Sequence, residues 1–475
     1  MTESANIRRR AGAVLAVVCA AQFLTILDLW VANIALPVLR CDFSPATLPE
    51  VSWILDAYAI VVTALLVPAG RAADIVGRRA GFLAGLILFG IASLGCALAP
   101  TLPTLIAFRA LQATGAAVLM PTSLGLALSA FPEHRRGTAV GIWAAVGAAA
   151  AGGGPVLGGL LVEWDWRWIF LINVPLVLAT LAAGVVVLPR SGGRGTGRHV
   201  DPWGMLLALG AIGLVCTALT EIQDWPAAWT WTMLTTGLVL AAAFVAHILR
   251  HPDPVVKPRL FSVRAFSAGA AGLVTYYVGF AAMLLGTTLL LTEQWHFSVV
   301  RAALGIAPGP LAAGVVSPFS GRLSARFGKR NTILAGALLF AMAGAWPLLT
   351  AEAAPAYRGV VLPGMLLWGL ANALIQPSLF ACADTVPRAD LASGSAVLSM
   401  ARQLGSALGV AVLVAVLGAD RTTGMAGFHR AWLVVLITAG LTGFAALGVA
   451  GRRADGAVLA ELEREAGRAI QEADR

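Results

Sequence analysis

Three ionisable side chains interrupt otherwise apolar stretches: Asp28 in "LDLWVANIALP" (27–37), Asp56 in "WILDAYAI" (53–60) and Arg109 in "RALQATGAA" (109–117). An arginine at the centre of a bilayer span costs at least about 2.5–3.5 kcal/mol, so such a residue marks function by default. The chemistry open to these groups is narrow. A carboxylate in low dielectric can exchange a proton or hold an organic cation. A neighbouring guanidinium can keep it ionised and let go when it is protonated. The bland alternatives are an Arg109 that snorkels to an interface and an Asp56 exposed at a rim. Glu221, Asp224 and Glu293 lie near span ends and read as solvated. Other chemistries lack their residues. Five cysteines are scattered without a CxxC, six histidines form no HExxH, and no Walker A sequence is present. No metal and no organic cofactor is expected, and ATP is not expected to act directly on the chain.

The elements that position these groups are membrane spans. The 475-residue chain is 59% hydrophobic and 12% charged, about half the charge of a soluble domain. Its long runs without Asp, Glu, Lys or Arg reach the roughly 18 residues that suffice to cross a bilayer. Fourteen spans are predicted at 12–37, 51–70, 80–99, 104–128, 137–161, 168–189, 203–221, 229–249, 266–292, 300–318, 331–350, 358–382, 392–418 and 430–451. The first is too long for a signal peptide's apolar core and reads as an uncleaved span. With a cytoplasmic N-terminus, 25 Lys and Arg fall inside, six outside and two (Arg109 and Arg402) within spans. The positive-inside rule then makes both termini cytoplasmic. The net charge of +9 is thereby a matter of topology, and no nucleic-acid partner is needed. Trp164, Trp166, Trp168, Trp225, Trp229, Trp231, Trp295 and Trp432 gather at the predicted outer boundary, where amphipathic rings prefer to lie.

An internal repeat organises the spans. "GRAADIVGRR" (70–79) and "GRLSARFGKR" (321–330) share Gly70/Gly321, Arg71/Arg322, Gly77/Gly328 and a closing basic pair, 251 residues apart. At the same offset Gly154 meets Gly405 and Gly158 meets Gly409. The chain divides into a six-helix bundle (1–200), an inserted two-helix hairpin (201–250), a second six-helix bundle (251–451) and an amphipathic cytoplasmic tail (452–475). Parallel repeats of this kind place a substrate site between the halves. The proline-containing segment 250–266 is expected to run along the cytoplasmic interface.

These residues carry a resemblance. Over nearly its whole length the chain resembles the fourteen-helix drug:proton antiporter branch of the major facilitator superfamily. Gly70, Asp74, Gly77, Arg78 and Arg79 are similar to that superfamily's loop between helices 2 and 3, and the resemblance implies a conformational latch shared with Gly321, Arg322 and Gly328. The family commonly has Leu where Ala72 stands. "RALQATGAA" resembles the proton-coupling stretch of helix 4, with Ala113 at a position where Gly is usual. "GGGPVLGG" (152–159) resembles the antiporter sequence of helix 5. Gly147, Gly154, Pro155, Gly158 and Gly159 would let backbones approach closely in lipid, with Pro155 favouring a bend. "WDWRWIFLINVP" (164–175) matches the start of helix 6 in this branch, and Trp30 replaces a usual Thr in span 1.

The resemblance implies an all-α membrane fold of six, two and six helices. It implies a proton-coupled exporter of amphipathic drugs or antibiotics, cationic or lipophilic, that works as a monomer in the bacterial cell membrane. The proton gradient would be its energy source. Proton coupling would rest on Asp28, Arg109 and Asp56. The substrate cavity would draw on Asp28, Trp30, Asn33, Asp56, Tyr58, Gln112, Tyr276 and Glu293. A proton-symport importer of a small nutrient is the alternative; a non-transporting sensor and a membrane-embedded transferase fit less well.

Overall fold

The computed structural model describes residues 2–449 apart from 132, 190–200, 223–224, 253, 387–390 and 419–424; for 2–10, Asp74, 128, 391–392 and several residues of 133–148 it describes the backbone alone. The expected tail at 452–475 and Asp224 lie outside the described residues. Sixteen α-helices follow one another: α1 (Thr2–Asp42), α2 (Leu48–Val76), α3 (Arg78–Ala97), α4 (Leu102–Ala130), α5 (Glu133–Trp164), α6 (Trp168–Leu171), α7 (Asn173–Val187), α8 (Pro202–Thr220), α9 (Ala227–Arg250), α10 (Arg264–Leu289), α11 (Val299–Ile306), α12 (Pro308–Phe327), α13 (Lys329–Thr350), α14 (Val361–Phe380), α15 (Leu391–Gly418) and α16 (Met425–Ala446). Among the described residues there is no strand. The pairs α6–α7 and α11–α12 are each parted by a single residue, Ile172 and Ala307, so the helices fall on the fourteen predicted spans. Among the described residues, thirteen stretches are long and apolar enough to cross a bilayer.

Local chemistry sets the helix ends. Thr47 and Glu50 form a capping box before α2, with the Thr47 N–H donating to Glu50 Oε2 at 2.7 Å. Thr101 and Thr104 do the same before α4. Gly77 and Gly328, which match in the repeat, are the single residues that part α2 from α3 and α12 from α13, at φ 109° and 86°. Glycine alone holds that backbone without strain, so the shared glycines are what make both turns this tight.

The repeat returns in the packing. α1 packs along α5, and α10 packs along α15. Glycines close both pairs: Gly154 and Gly158 face Trp30 and Val31 of α1, while Gly405 and Gly409 face Val274 and Val278 of α10. Contacts across the halves are matched too, α2 against α15 and α5 against α11. α8 packs on α2, α15 and α9, and α9 leans chiefly on α8.

Segment 250–266 is anchored on the helices by its apolar side chains: Val255, Val256, Leu260 and Phe266 are buried while Arg259 and Arg264 are exposed, and the Arg71 side chain donates to the Pro254 carbonyl at 2.8 Å. The tryptophans expected at the outer boundary differ in burial. Trp164, Trp168, Trp225, Trp229 and Trp231 are exposed, but Trp166, Trp295 and Trp432 are buried. Trp166 Nε1 donates to Asp42 at 2.7 Å and Trp295 Nε1 to the Glu352 carbonyl at 3.3 Å. A buried indole takes the position that satisfies its N–H.

Candidate functional site

The centre of the first half is a sealed polar network. Asp28 on α1 is 2% exposed and Arg109 on α4 is 0% exposed. Arg109 Nη1 donates to Asp28 Oδ2 at 2.6 Å and to Gln112 Oε1 at 2.6 Å, and its Nε donates to the Ile54 carbonyl at 3.1 Å. Asp28 Oδ1 accepts from Gln112 Nε2 and from Asn173 Nδ2, both at 2.9 Å. Gln112 also donates to Ser93 Oγ at 2.7 Å. The guanidinium lies 4.5 Å from the centre of the Tyr58 ring and 5.6 Å from that of Phe170, which adds cation–π attraction. Buried charges persist only when paired and hydrogen-bonded, and five helices converge to meet that demand. Arg109 Nη2, the Tyr58 hydroxyl and Asn173 Oδ1 have no hydrogen-bond partner among the described residues. The network thus has groups to spare for a new partner.

A second cluster spans the halves. Trp30 of α1 meets Phe280 of α10 with ring centroids 5.9 Å apart and Trp368 of α14 at 6.3 Å; Phe280 and Trp368 lie 4.8 Å apart. Tyr276 adjoins Phe280 at 6.0 Å and donates its hydroxyl to Asn372 Oδ1 at 2.9 Å. These rings pack on one another and join α1 to α10 and α14.

The remaining predicted residues sit apart from these clusters. Asp56 is 0% exposed, not at a rim; Oδ2 accepts from Thr220 of α8 at 3.3 Å, and Oδ1 has no partner among the described residues. Asn33 Oδ1 accepts from Thr288 at 3.4 Å, across the halves. Glu293 is not simply solvated: its Oε1 pairs with Arg40 Nη1 at 2.9 Å, again across the halves. Glu221 is 8% exposed and accepts from Trp53 Nε1 at 3.2 Å. Glu221 thus has an N–H partner between α8 and α2, and Glu293 a cationic partner across the halves. Weakening this closure should change the conformational balance. With Arg40→Gln, spin labels on the two halves at this end should show a larger population of long distances than wild type. An unchanged distribution would mean that the pair only decorates the seam.

In "GGGPVLGG" the glycines split between two jobs. A Cβ at Gly147 would approach Gln22, one at Gly154 would lie 2.7 Å from Trp30 Cβ, and one at Gly158 would lie 3.1 Å from Val31 Cα. All three face α1 within the same half. Gly159 faces the other half instead, with a Cβ there 2.9 Å from Ala303 Cβ and 3.1 Å from Val300 Cα. Pro155 is buried within α5. At the repeated turns, Arg78 donates to the Gly125 carbonyl at 3.2 Å and Arg79 to the Val185 carbonyl at 2.6 Å. A Cβ at Gly70 would lie 3.2 Å from Pro121 Cβ, whereas Gly321 and Arg322 are exposed and Gly321 has open space beside it. The side chain of Asp74 lies outside the described residues.

Sequence reasoning missed Ser93 and did not assign Asn173 to the site, although Asn173 stood out in "WDWRWIFLINVP". It missed Phe280, Trp368 and Asn372 entirely. An aromatic residue within an apolar span gives no signal of which neighbour it faces.

Long apolar helices packed around a buried ion pair define a polytopic membrane protein, and its relatives make it a transporter. The sequence profile of the Major Facilitator Superfamily matches residues 18–199 and 200–410, and the chain belongs to that family. It is similar to the "Multidrug resistance protein Stp" of Mycobacterium tuberculosis, 34% identical over 404 residues that make up 84% of this chain and 74% of that protein. It is also similar to the "Puromycin resistance protein pur8" of Streptomyces alboniger, 34% identical over 408 residues, 84% of this chain and 80% of that one. A POT family transporter solved in complex with 5-aminolevulinic acid shares the fold, with a TM-score of 0.69 at 14% identity over 92% of this chain and 96% of its own. The protein is a multi-pass protein of the bacterial plasma membrane and a transporter rather than an enzyme.

Proposed function

We propose that the protein is a proton-coupled exporter of amphipathic, cationic or lipophilic drugs, working as a monomer by alternating access. The observation that carries this reading is the Asp28–Arg109 pair, 2.6 Å apart and sealed from solvent. A bilayer-buried carboxylate held by one guanidinium and two amides can trade the guanidinium for a proton. Once protonated, Asp28 no longer holds Arg109, and the change of partners is the switch between conformations. An organic cation reaching the aromatic seam competes for the same negative charge. Proton uptake on one side and substrate departure on that side are then two outcomes of one exchange. The relatives' names, which speak of drug resistance, support export as the direction. The pH gradient drives such an exchange, and a membrane potential adds about 2.3 kcal/mol per 100 mV for each net positive charge carried inward.

Further parts of the reading concern layout. The strong excess of Lys and Arg in the predicted inside segments supports cytoplasmic termini. The matched pairs α1–α5 and α10–α15 support two six-helix bundles with α8 and α9 as an insertion. The loop of Gly70, Asp74, Gly77, Arg78 and Arg79, with Gly321, Arg322 and Gly328, would be a latch on the cytoplasmic side. Asp74→Asn should then raise the inward-open population.

The test is transport by purified protein in vesicles with an imposed pH gradient. A fluorescent organic cation should move against its own gradient only when protons run the opposite way. Movement of both in the same direction would instead establish a symporter. Within this scheme Asp56 is the second negative charge: Asp56→Asn should slow divalent organic cations several-fold while sparing monovalent ones. Equal loss for both would remove Asp56 from substrate selection.

A further inference from the structure

The α8–α9 hairpin carries a cluster of ligand-type side chains that the transport site does not use. Asp201 caps α8. Its Oδ1 accepts from the Gly204 N–H at 2.8 Å and lies 2.9 Å from His247 Nε2, and its Oδ2 accepts from the Val255 N–H at 3.2 Å. His247 occupies the last turn of α9, and His251 follows four residues later as its C-cap. The spacing puts both imidazoles on one side of the helix end, with ring centroids 5.0 Å apart. One donor atom from each of Asp201, His247 and His251 lies within 4.8 Å of the other two.

Burial distinguishes this cluster from an ordinary surface group. Asp201 is 2% exposed, and the two histidines are half-buried. The Gly204 and Val255 N–H groups fix the orientation of the Asp201 carboxyl, as supporting hydrogen bonds fix the ligands of metal sites. Both histidines border an open depression that they share with Leu207, Ala243 and Arg250, so that side of the cluster is accessible.

We propose that Asp201, His247 and His251 form a binding site for a divalent transition-metal ion. Two imidazoles and one carboxylate are borderline nitrogen and oxygen donors, the set that suits Zn²⁺ and its first-row neighbours better than Mg²⁺ or Ca²⁺. The consequence is mechanical. An ion there joins the start of α8, the end of α9 and, through Val255, the linker that Arg71 grips from the end of α2 by the Pro254 carbonyl. The hairpin would be stapled to the first half through Arg71 in the last part of α2.

The experiment uses the full chain in detergent, freed of any histidine tag and stripped of metal. Co²⁺ is the probe, because three such ligands give it visible absorption bands. One equivalent of Co²⁺ per chain should produce the bands, Zn²⁺ should abolish them, and Zn²⁺ should raise the unfolding temperature. His247→Gln and His251→Gln should each lose the bands and the thermal shift. Asp201→Asn, which keeps a helix-capping side chain, should weaken Co²⁺ at least tenfold. Absence of the bands in wild-type protein would overturn the proposal without any variant. So would bands that survive unchanged in either folded histidine variant, since the ion would then lie elsewhere.

Discussion

Asp28→Asn is expected to abolish pH-gradient-driven transport while the protein still inserts in the membrane. The carboxylate accepts from Arg109, Gln112 and Asn173 at 2.6–2.9 Å, and an asparagine of nearly the same shape keeps the packing but cannot take up a proton. It also leaves Arg109 as a buried cation without its counter-charge. Breaking a buried pair from one side costs about 3–5 kcal/mol, so the single variant will also lose stability. Asp28→Asn combined with Arg109→Gln removes both charges and should recover much of that stability without restoring coupling. Two measurements decide the matter: proton release when substrate is added to purified protein, and accumulation of a fluorescent cation in vesicles. Wild type should show both, and the single and double variants neither. If Asp28→Asn still releases protons and still concentrates substrate against its gradient, the coupling site has to be sought at Asp56, Glu221 or Glu293.

A bulky side chain where α5 crosses α1 should be almost as damaging. At Gly158 an added Cβ would lie 3.1 Å from the Val31 Cα, and at Gly154 2.7 Å from Trp30 Cβ. Backbone cannot swing aside as a flexible side chain can, so leucine at 158 must push the two helices apart. Overpacking of this kind costs about 1–3 kcal/mol. Here it would also displace α1, which carries both Asp28 and Trp30. Gly158→Leu and Gly154→Leu should therefore reduce efflux to near background in correctly inserted protein. Gly153→Leu is the internal control, because nothing lies within 4 Å of a Cβ there; it should transport like wild type. Wild-type efflux in Gly158→Leu would sink the close-approach argument, and equal damage from Gly153→Leu would attribute the effect to the leucine itself.

The hydrophobic runs, the 251-residue repeat and the rarity of charge within spans could all be read directly from the chain. Each is a local property. A stretch of some twenty apolar residues has to cross the bilayer whatever its neighbours do, and a glycine required at φ 109° or 86° announces its turn at Gly77 and Gly328. The cost of a charge in lipid likewise singles out Asp28 and Arg109 without any knowledge of contacts. Partner choice is different. Asn173 reaches Asp28 across 145 positions, Arg40 reaches Glu293 across 253, and Asp201 reaches His247 across 46. Those pairings follow from how each helix is rotated about its axis and which helix stands beside it. In water an amphipathic stripe would reveal that rotation. In a bilayer the lipid-facing side is as apolar as the packed side, so the stripe disappears, and close packing and hydrogen bonding decide the rotation instead. That is why nothing in the sequence told the buried Trp166, Trp295 and Trp432 from the exposed Trp164 and Trp229, and why Phe280 and Trp368 gave no sign that they meet Trp30.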